Sequence, residues 1–266
     1  MKTWWMALAL LVGAATQTAF AEVLIVGDEF PAMQVLAARL EREAHIPSKL
    51  VSQKELPASL AAFEAVVVYI HGAMAESAED ACIDYTKAGG KLVLLHHSIS
   101  SGKRKNPHWF SFLGVALPEG DLAHGGYKWI EGVRLSLVNL NPNHFIMTNE
   151  VSYPELIPYT STNVPERRPS PPQDAAPAQA RLPGFALDDT EVYLNHVHTE
   201  PHTLLMGLKY EDPKSGTIFM QDRAGWLKPA GRGLIIYLMP GHTKKDFEDP
   251  TYGRIVVNAV RYKPQR

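Results

Sequence analysis

The chain has 266 residues, 45% of them hydrophobic, with 26 Lys and Arg against 28 Asp and Glu and a formal net charge of -2. Its basic residues are scattered, which excludes the basic footprint of a nucleic-acid-binding domain. A single cysteine, Cys82, excludes an intramolecular disulfide, so stability must come from a buried core.

The first 21 residues read as a secretory signal peptide: Lys2 at the start, an apolar stretch over 6–12, and the small-x-small site Ala19-Phe20-Ala21. Cleavage after Ala21 starts the mature chain at Glu22 and predicts a periplasmic or secreted protein that leaves the membrane. The apolar stretch is too short to span a bilayer comfortably. Residues 22–266 are enough for one domain with room for insertions.

The mature chain opens on the apolar run Val23-Leu24-Ile25-Val26-Gly27, ending at Asp28. Residues 31–44 follow with helical spacing at Met33, Leu36, Ala37, Leu40 and Ala44, and Pro31 suits a first turn. Leu50-Val51 is a short strand candidate. Val66-Val67-Val68-Tyr69-Ile70 is a second buried strand and leads to His71. A helix over 76–88 closes on Gly89-Gly90, and Leu92-Val93-Leu94-Leu95 leads to His96-His97. This strand–helix alternation predicts βαβ units with right-handed crossovers and a parallel sheet.

The middle of the chain reads differently. Residues 127–138 alternate partly, as a strand pair or an extended arm, and 144–148, 191–195, 203–210 and 217–220 are short strand candidates. Together they predict a mixed or antiparallel portion added to the parallel sheet. Residues 154–183 are rich in Pro, Ala and Gln and are expected to form a surface insertion without a regular element. Parallel logic returns with a buried strand over 233–239 that runs through Pro240-Gly241 to His242. Asp249-Pro250 then caps a helix with Tyr252, Ile255, Val256 and Ala259 on one face.

Carboxyl ends of parallel strands share one edge, where ligands bind in open sheets. Asp28, His71, His96-His97 and His242 would therefore meet in one crevice. Of the adjacent pair His96-His97, strand alternation turns only one toward the crevice. Ser98, Ser100, Ser101 and Gly102 follow as a polar loop. Asp188-Asp189-Thr190-Glu191 is the main acidic group, and a carboxylate beside an imidazole can orient it or raise its basicity. His196 and His198, spaced i,i+2 on one strand face, and His124 in a Gly-rich loop are the metal-ligand candidates. His144 follows Asn141-Pro142-Asn143. Trp109, Trp129, Trp226 and Tyr193 could stack on a sugar or fill the core. Cys82 lies in a helical pattern and reads as packing. No Gly-x-Ser-x-Gly elbow, phosphate loop, His-Glu-x-x-His helix or dinucleotide turn is present.

These pieces together resemble the ThuA-like family (trehalose-utilisation type). The matching pieces are the first strand, Tyr85 to His97, Asn143-His144-Phe145-Ile146, Leu182 to Tyr193, Gly231 to His242, and Asn258-Ala259-Val260-Arg261-Tyr262. The resemblance implies an α/β fold similar to the class I glutamine amidotransferases and flavodoxin-like proteins, with helices on both faces of a mostly parallel sheet. In those amidotransferases a cysteine nucleophile stands where this chain has His96-His97, so glutamine hydrolysis is excluded on chemical grounds. Asp28 stands where the family often has a histidine. The family's link to trehalose, related disaccharides and 3-keto-sugars implies a small-molecule carbohydrate partner.

The expectation is an exported enzyme acting on a glycoside or keto-sugar by histidine–carboxylate acid–base chemistry, with a divalent metal as the candidate cofactor. His97, His242, Glu191 and Asp189 carry catalysis; His96, Ser98, His144 and Asp28 contact substrate; His124, His196 and His198 are the metal candidates. One alternative is a non-catalytic periplasmic sugar-binding or accessory protein using Trp129 and Trp226. Another is a structural metal protein held by His196, His198 and His202.

Overall fold

A computed structural model describes residues 22–160 and 180–264. The expected signal segment and the centre of the Pro-rich segment lie outside the described residues. The described chain is a mixed α/β structure. Its strands are β1 (Val23–Gly27), β2 (Ser48–Val51), β3 (Ala65–Tyr69), β4 (Lys91–Leu95), β5 (Val115–Ala116), β6 (Lys128–Asn139), β7 (Glu155–Tyr159), β8 (Ala180–Leu194), β9 (Val197–His198), β10 (Thr203–Glu211), β11 (Ile218–Ala230) and β12 (Gly233–Leu238). Its helices are α1 (Phe30–Ala44), α2 (Glu76–Lys87), α3 (Trp109–Leu113), α4 (Phe145–Thr148), α5 (Lys244–Glu248) and α6 (Pro250–Arg261).

Among the described residues ten strands form one sheet in the order β2-β1-β3-β4-β12-β11-β10-β6-β8-β7, and β5 pairs with β9 apart from it. The first five strands are parallel, and every later pairing is antiparallel. In β1, β3 and β4 every residue is buried, which is why, Lys91 at the start of β4 aside, these strands are unbroken apolar runs. The connections β1–α1–β2 and β3–α2–β4 run to opposite sides, so right-handed crossovers put α1 and α2 on opposite faces. α1 packs against α5 and α6, and α2 lies across β4 and β12. Asp249 Oδ1 accepts from the Tyr252 N–H at 2.8 Å and starts α6 as expected.

Several expectations need correction. Residues 127–138 form neither a hairpin nor a free arm; they are one long strand, β6. The candidates at 191–195 and 217–220 are the end of β8 and the start of β11. These strands present one half-exposed face, as in β6, so only fragments of them look apolar. Residues 145–148 are a helical turn, α4, because the His144 ring accepts from the Ile146 N–H and caps it. The 154–183 segment is not irregular at its ends: β7 pairs with β8 from Glu155↔Gly184 to Tyr159↔Ala180. β7 is an edge strand, where Pro158 is tolerated.

Two features place the site. Strand order reverses between β1 and β3, opening a crevice at their carboxyl ends. The antiparallel half then curls back over that edge. Register shifts interrupt the β6–β8 ladder between Glu131 and Leu135, and Gly132 and Asp189 lie in the left-handed region (φ 65° and 59°). Such bulges bend a ribbon and increase its twist.

Candidate active site

β4 ends at Leu95, and residues 96–99 make a single 3₁₀ turn. His96 enters it at φ 40°, a conformation that costs a non-glycine residue about 1–3 kcal/mol. Its Nδ1–H donates to the Met239 carbonyl at 2.7 Å, and its own carbonyl accepts from the Tyr237 hydroxyl at 3.1 Å. Strand alternation ends at this turn. Both imidazoles therefore face the same cluster, with ring centroids 4.2 Å apart, and the expectation that only one would do so is corrected. Both rings are almost fully buried.

His242 follows β12 through Gly241, whose φ of 117° and closeness to the Phe247 ring (2.7 Å from an added Cβ) require glycine. Asp246 Oδ2 accepts from the His242 N–H at 2.7 Å and from the Thr190 hydroxyl at 2.7 Å. At the end of β3, the Asp28 carboxylate accepts from the His71 N–H at 3.0 and 2.9 Å. The buried Lys103 amine donates to the carbonyls of Ile70, at 2.7 Å, and Gly72. This clamp fixes the loop that carries the His71 ring.

From β8, Glu191 and Tyr193 reach into the cluster on one strand face. Glu191 Oε2 lies 2.8 Å from His96 Nε2 and 3.3 Å from His242 Nδ1, and accepts from the Tyr193 hydroxyl at 3.0 Å. His97 Nδ1 donates to the Tyr193 oxygen at 2.9 Å, while its Nε2 shares a hydrogen bond with His71 Nδ1 at 3.1 Å. His71 Nδ1 is also 3.4 Å from Glu29. His97 and His242 stand with ring centroids 6.0 Å apart.

Burial, and then the neighbouring His96 and His71, push His97 well below the usual histidine range. For Glu191, burial alone would raise the pKa, but the close contacts with His242, His96 and Tyr193 outweigh it and hold the carboxyl well below its usual range. The hydrogen bond to Glu191 raises His242. Tyr193 is raised by burial and then by Glu191. An ionised carboxylate thus sits among imidazoles, with His97 held neutral.

A cleft of about 210 Å³ opens onto this cluster, lined by His71, His97, Trp129, Glu131, Glu191 and Tyr193. Larger hollows, of about 570 to 730 Å³, lie elsewhere and touch none of the clustered histidines. Pocket size alone does not mark the chemistry here. Among the described residues, two overlapping groups could hold a metal ion: His96, His97, Glu191 and His242, and Glu29, His71 and His97.

Of the residues expected at the site, His96, His97, His242 and Glu191 converge. Asp189 does not: its left-handed backbone breaks the alternation that would put it beside Glu191, and its exposed carboxylate lies 3.8 Å from Lys245. The Ser98 hydroxyl is buried and donates to Leu95 and Val68 carbonyls. Asp28 binds backbone rather than facing the cleft. His144 packs on Tyr262 at 4.7 Å; the Tyr262 carbonyl in turn binds Lys91 at the opposite end of β4.

The expected metal set is also dispersed. His124 is exposed and pairs with Asp121 at 2.6 Å. His196 is buried beside His198, whose ring stacks on His202. The His202 nitrogens face the Glu200 and Leu113 carbonyls at 2.7 and 2.9 Å, so its lone pairs are not offered to an ion. Trp109 and Trp226 are core residues, whereas Trp129 is 45% exposed at the cleft.

Sequence reasoning missed Glu29, Glu131, Lys103 and the bonding role of Tyr193. Glu131 and Trp129 share a period of two on β6, opposite Glu191 and Tyr193, a signal readable only once that pairing is known. Lys103 carried no signal.

No curated protein matches the sequence. The fold is similar to the crystal structure of a putative ThuA-like protein from Bacteroides uniformis (TM-score 0.57, 16% identity, 91% of this chain and 90% of that one). It is also similar to one from Parabacteroides merdae (TM-score 0.58, 14% identity, 91% and 88%). It matches 31% of a β-galactosidase from Bacillus circulans (TM-score 0.52, 9% identity, 91% of this chain). At these identities the likeness concerns the fold alone. The family described as ThuA, trehalose utilisation, matches residues 20–263, nearly the whole length, and the chain belongs to that family.

Proposed function

We propose that this protein is an exported enzyme, mature from Glu22, that acts on a glycoside or keto-sugar by proton transfer at the histidine cleft. The observation that carries this reading is the convergence of His71, His97, Glu191 and Tyr193 under one opening with Trp129 at its rim. Family membership supports the carbohydrate class. The strand order β2-β1-β3-β4-β12 supports a flavodoxin-like or amidotransferase-like core, with the reactive position at the turn after β4. The cleft is smaller than the ~300–1,000 Å³ usual for drug-sized ligands, which suits a single sugar ring. An exposed indole with nearby carboxylates, Glu131 and Glu191, suits a ring with an apolar face and hydroxyl edges.

A ketone on a sugar ring acidifies the adjacent C–H. A base that takes this proton leaves an enolate, which can expel the group at the neighbouring anomeric carbon; water then adds back. His97 fits the base once substrate displaces its contact with His71: it is neutral, its Nδ1–H is fixed by Tyr193, and the Nε2 lone pair that faces His71 is then free. His71, 3.1 Å away and exposed, links it to solvent. The face formed by Glu191, His96 and His242 lies on the other side of His97, where an electrophile for the enolate oxygen is needed.

The same residues exclude the amidotransferase route. Cys82 is buried in α2 with its thiol pushed up to about 12 by burial. The test is turnover of 3-keto-glycosides by wild type and His97→Ala. Loss of about 100-fold or more in kcat is expected for removal of a general base. Equal turnover by a folded His97→Ala would end this assignment, and a ligand bound but left intact for hours would favour the sugar-binding alternative.

A further inference from the structure

We propose that His96 Nε2, His242 Nδ1 and Glu191 Oε2 are the three protein ligands of a divalent cation of the Zn²⁺ class, with an open position beside His97. The inference rests on the proposed function and deepens it by naming the electrophile.

The first argument is the tautomer of His96. Its Nδ1 faces a carbonyl at 2.7 Å and must carry the proton there. That leaves Nε2 as the nitrogen free to ligate, and it points at the Glu191 carboxylate oxygen 2.8 Å away. A histidine whose far nitrogen donates to a backbone carbonyl is also the usual arrangement around a metal, since that bond orients the ring and raises its basicity.

The second argument is the triangle of donor atoms. Its sides are 2.8 Å (His96–Glu191), 3.3 Å (His96–His242) and 3.3 Å (His242–Glu191). Ligands about 2.0–2.1 Å from a tetrahedral zinc are separated by about 3.3 Å. Two sides already have this length, and the third needs to open by about half an ångström. A single cation satisfies all three atoms at once.

The third argument is the surroundings. His96 and Glu191 are buried, and β4, β8 and β12 with their following turns supply one ligand each, so rigid elements hold the donors. Glu191 is further oriented by the Tyr193 hydroxyl at 3.0 Å. His97 has a donor atom within 4.8 Å of the other three, but both its nitrogens are engaged, with Tyr193 and His71. That leaves it as a neighbour of the open position rather than a fourth ligand. Three protein ligands with a free position is the pattern of catalytic rather than structural zinc. A cation there would polarise a ketone or enolate oxygen while His97 moves the proton.

The test uses the full chain without a histidine tag, stripped with a chelator and checked by circular dichroism. It is titrated with Zn²⁺ by calorimetry and with Co²⁺ by visible absorption. One equivalent of Zn²⁺ is expected, with a Co²⁺ spectrum of low coordination number. Glu191→Gln keeps the shape of the buried side chain, and His242→Ala alters a partly exposed one; each should weaken Zn²⁺ binding by about 100-fold or more. His198→Gln, in the other histidine group, should leave it unchanged. Absence of Zn²⁺ binding, or binding that neither Glu191→Gln nor His242→Ala weakens, overturns the proposal. Keto-glycoside turnover measured in parallel separates the two readings: turnover that survives complete chelation removes the metal and keeps the enzyme. Site-dependent metal binding without any turnover does the reverse.

Discussion

Acidification below pH 6.5 should destabilise this protein through histidines that the fold keeps neutral, and the pair His196 and His198 allows the effect to be isolated. His196 is fully buried, and neither ring nitrogen has a hydrogen-bond partner among the described residues. Burial, followed by the nearby His198 and Arg223, holds it well below the usual range. His198 is pushed down to about 3, first by burial and then by His202.

Above pH 6.5 such a ring is neutral in the folded and unfolded chains alike, and its contribution to stability is intact. As pH falls through 6.5 the unfolded chain binds the proton and the native protein does not, so stability declines until the lowered native pKa is reached. Between pH 7.5 and 5.5 each histidine that stays neutral in the native state costs about 1.4 kcal/mol. The pair together costs about 3 kcal/mol, a large share of a typical ~5–15 kcal/mol. His97 adds a loss of the same sign, and His242, raised by Glu191, opposes it.

The assay is therefore a difference. Urea unfolding at pH 7.5, 6.5 and 5.5 is compared between wild type and the His196→Leu/His198→Leu double variant. The wild type should lose about 3 kcal/mol more than the double variant over this range. Parallel pH profiles would refute the reasoning, since they would mean that these rings protonate in the native state at little cost. At pH 7.5, His196→Leu alone should be stabilising, because removing an unpaired buried polar group recovers about 1–3 kcal/mol.

Three further outcomes are expected. Lys103→Met leaves the Ile70 and Gly72 carbonyls without their donor and should cost at least about 2 kcal/mol, with faster amide exchange at Gly72; unchanged exchange there would discount the clamp. Gly233→Ala directs a Cβ into the Thr86 and Gly90 carbonyl oxygens, backbone atoms that cannot rotate away, and should lower stability by about 1–3 kcal/mol, read from the urea midpoint. Trp129→Ala removes an exposed ring from the cleft rim and should raise KM about 3- to 10-fold, the equivalent of one stacking contact, while leaving the melting midpoint within about 2 °C; a shift in the midpoint with KM unchanged would make Trp129 structural.

Two backbone positions explain most of what pattern reading misplaced. Asp189 and Glu191 are two residues apart, and an ideal strand would turn them to one face. The left-handed backbone of Asp189 breaks the alternation and sends the first to solvent and the second into the cluster. His96 and His97 are adjacent, and an ideal strand would separate them. The left-handed entry of His96 brings them together instead. Neither residue is a glycine, so no residue type announced the exception. His196, His198 and His202 show the converse: close spacing suggested metal ligands, but burial and carbonyl partners occupy or isolate their nitrogens.

The parallel half of the sheet and the residues at its carboxyl edge were determined by the sequence itself. A strand buried on both faces must be an unbroken apolar run, and the first polar residue after it marks its end, so His71, His96, His97 and His242 could be placed together without coordinates. The partner carboxylate was decided only by tertiary structure. Glu191, Tyr193, Glu131 and Trp129 come from strands several positions away in the ladder. Their approach depends on bulges and sheet curl, which arise from backbone geometry and long-range pairing rather than from any local run of residues.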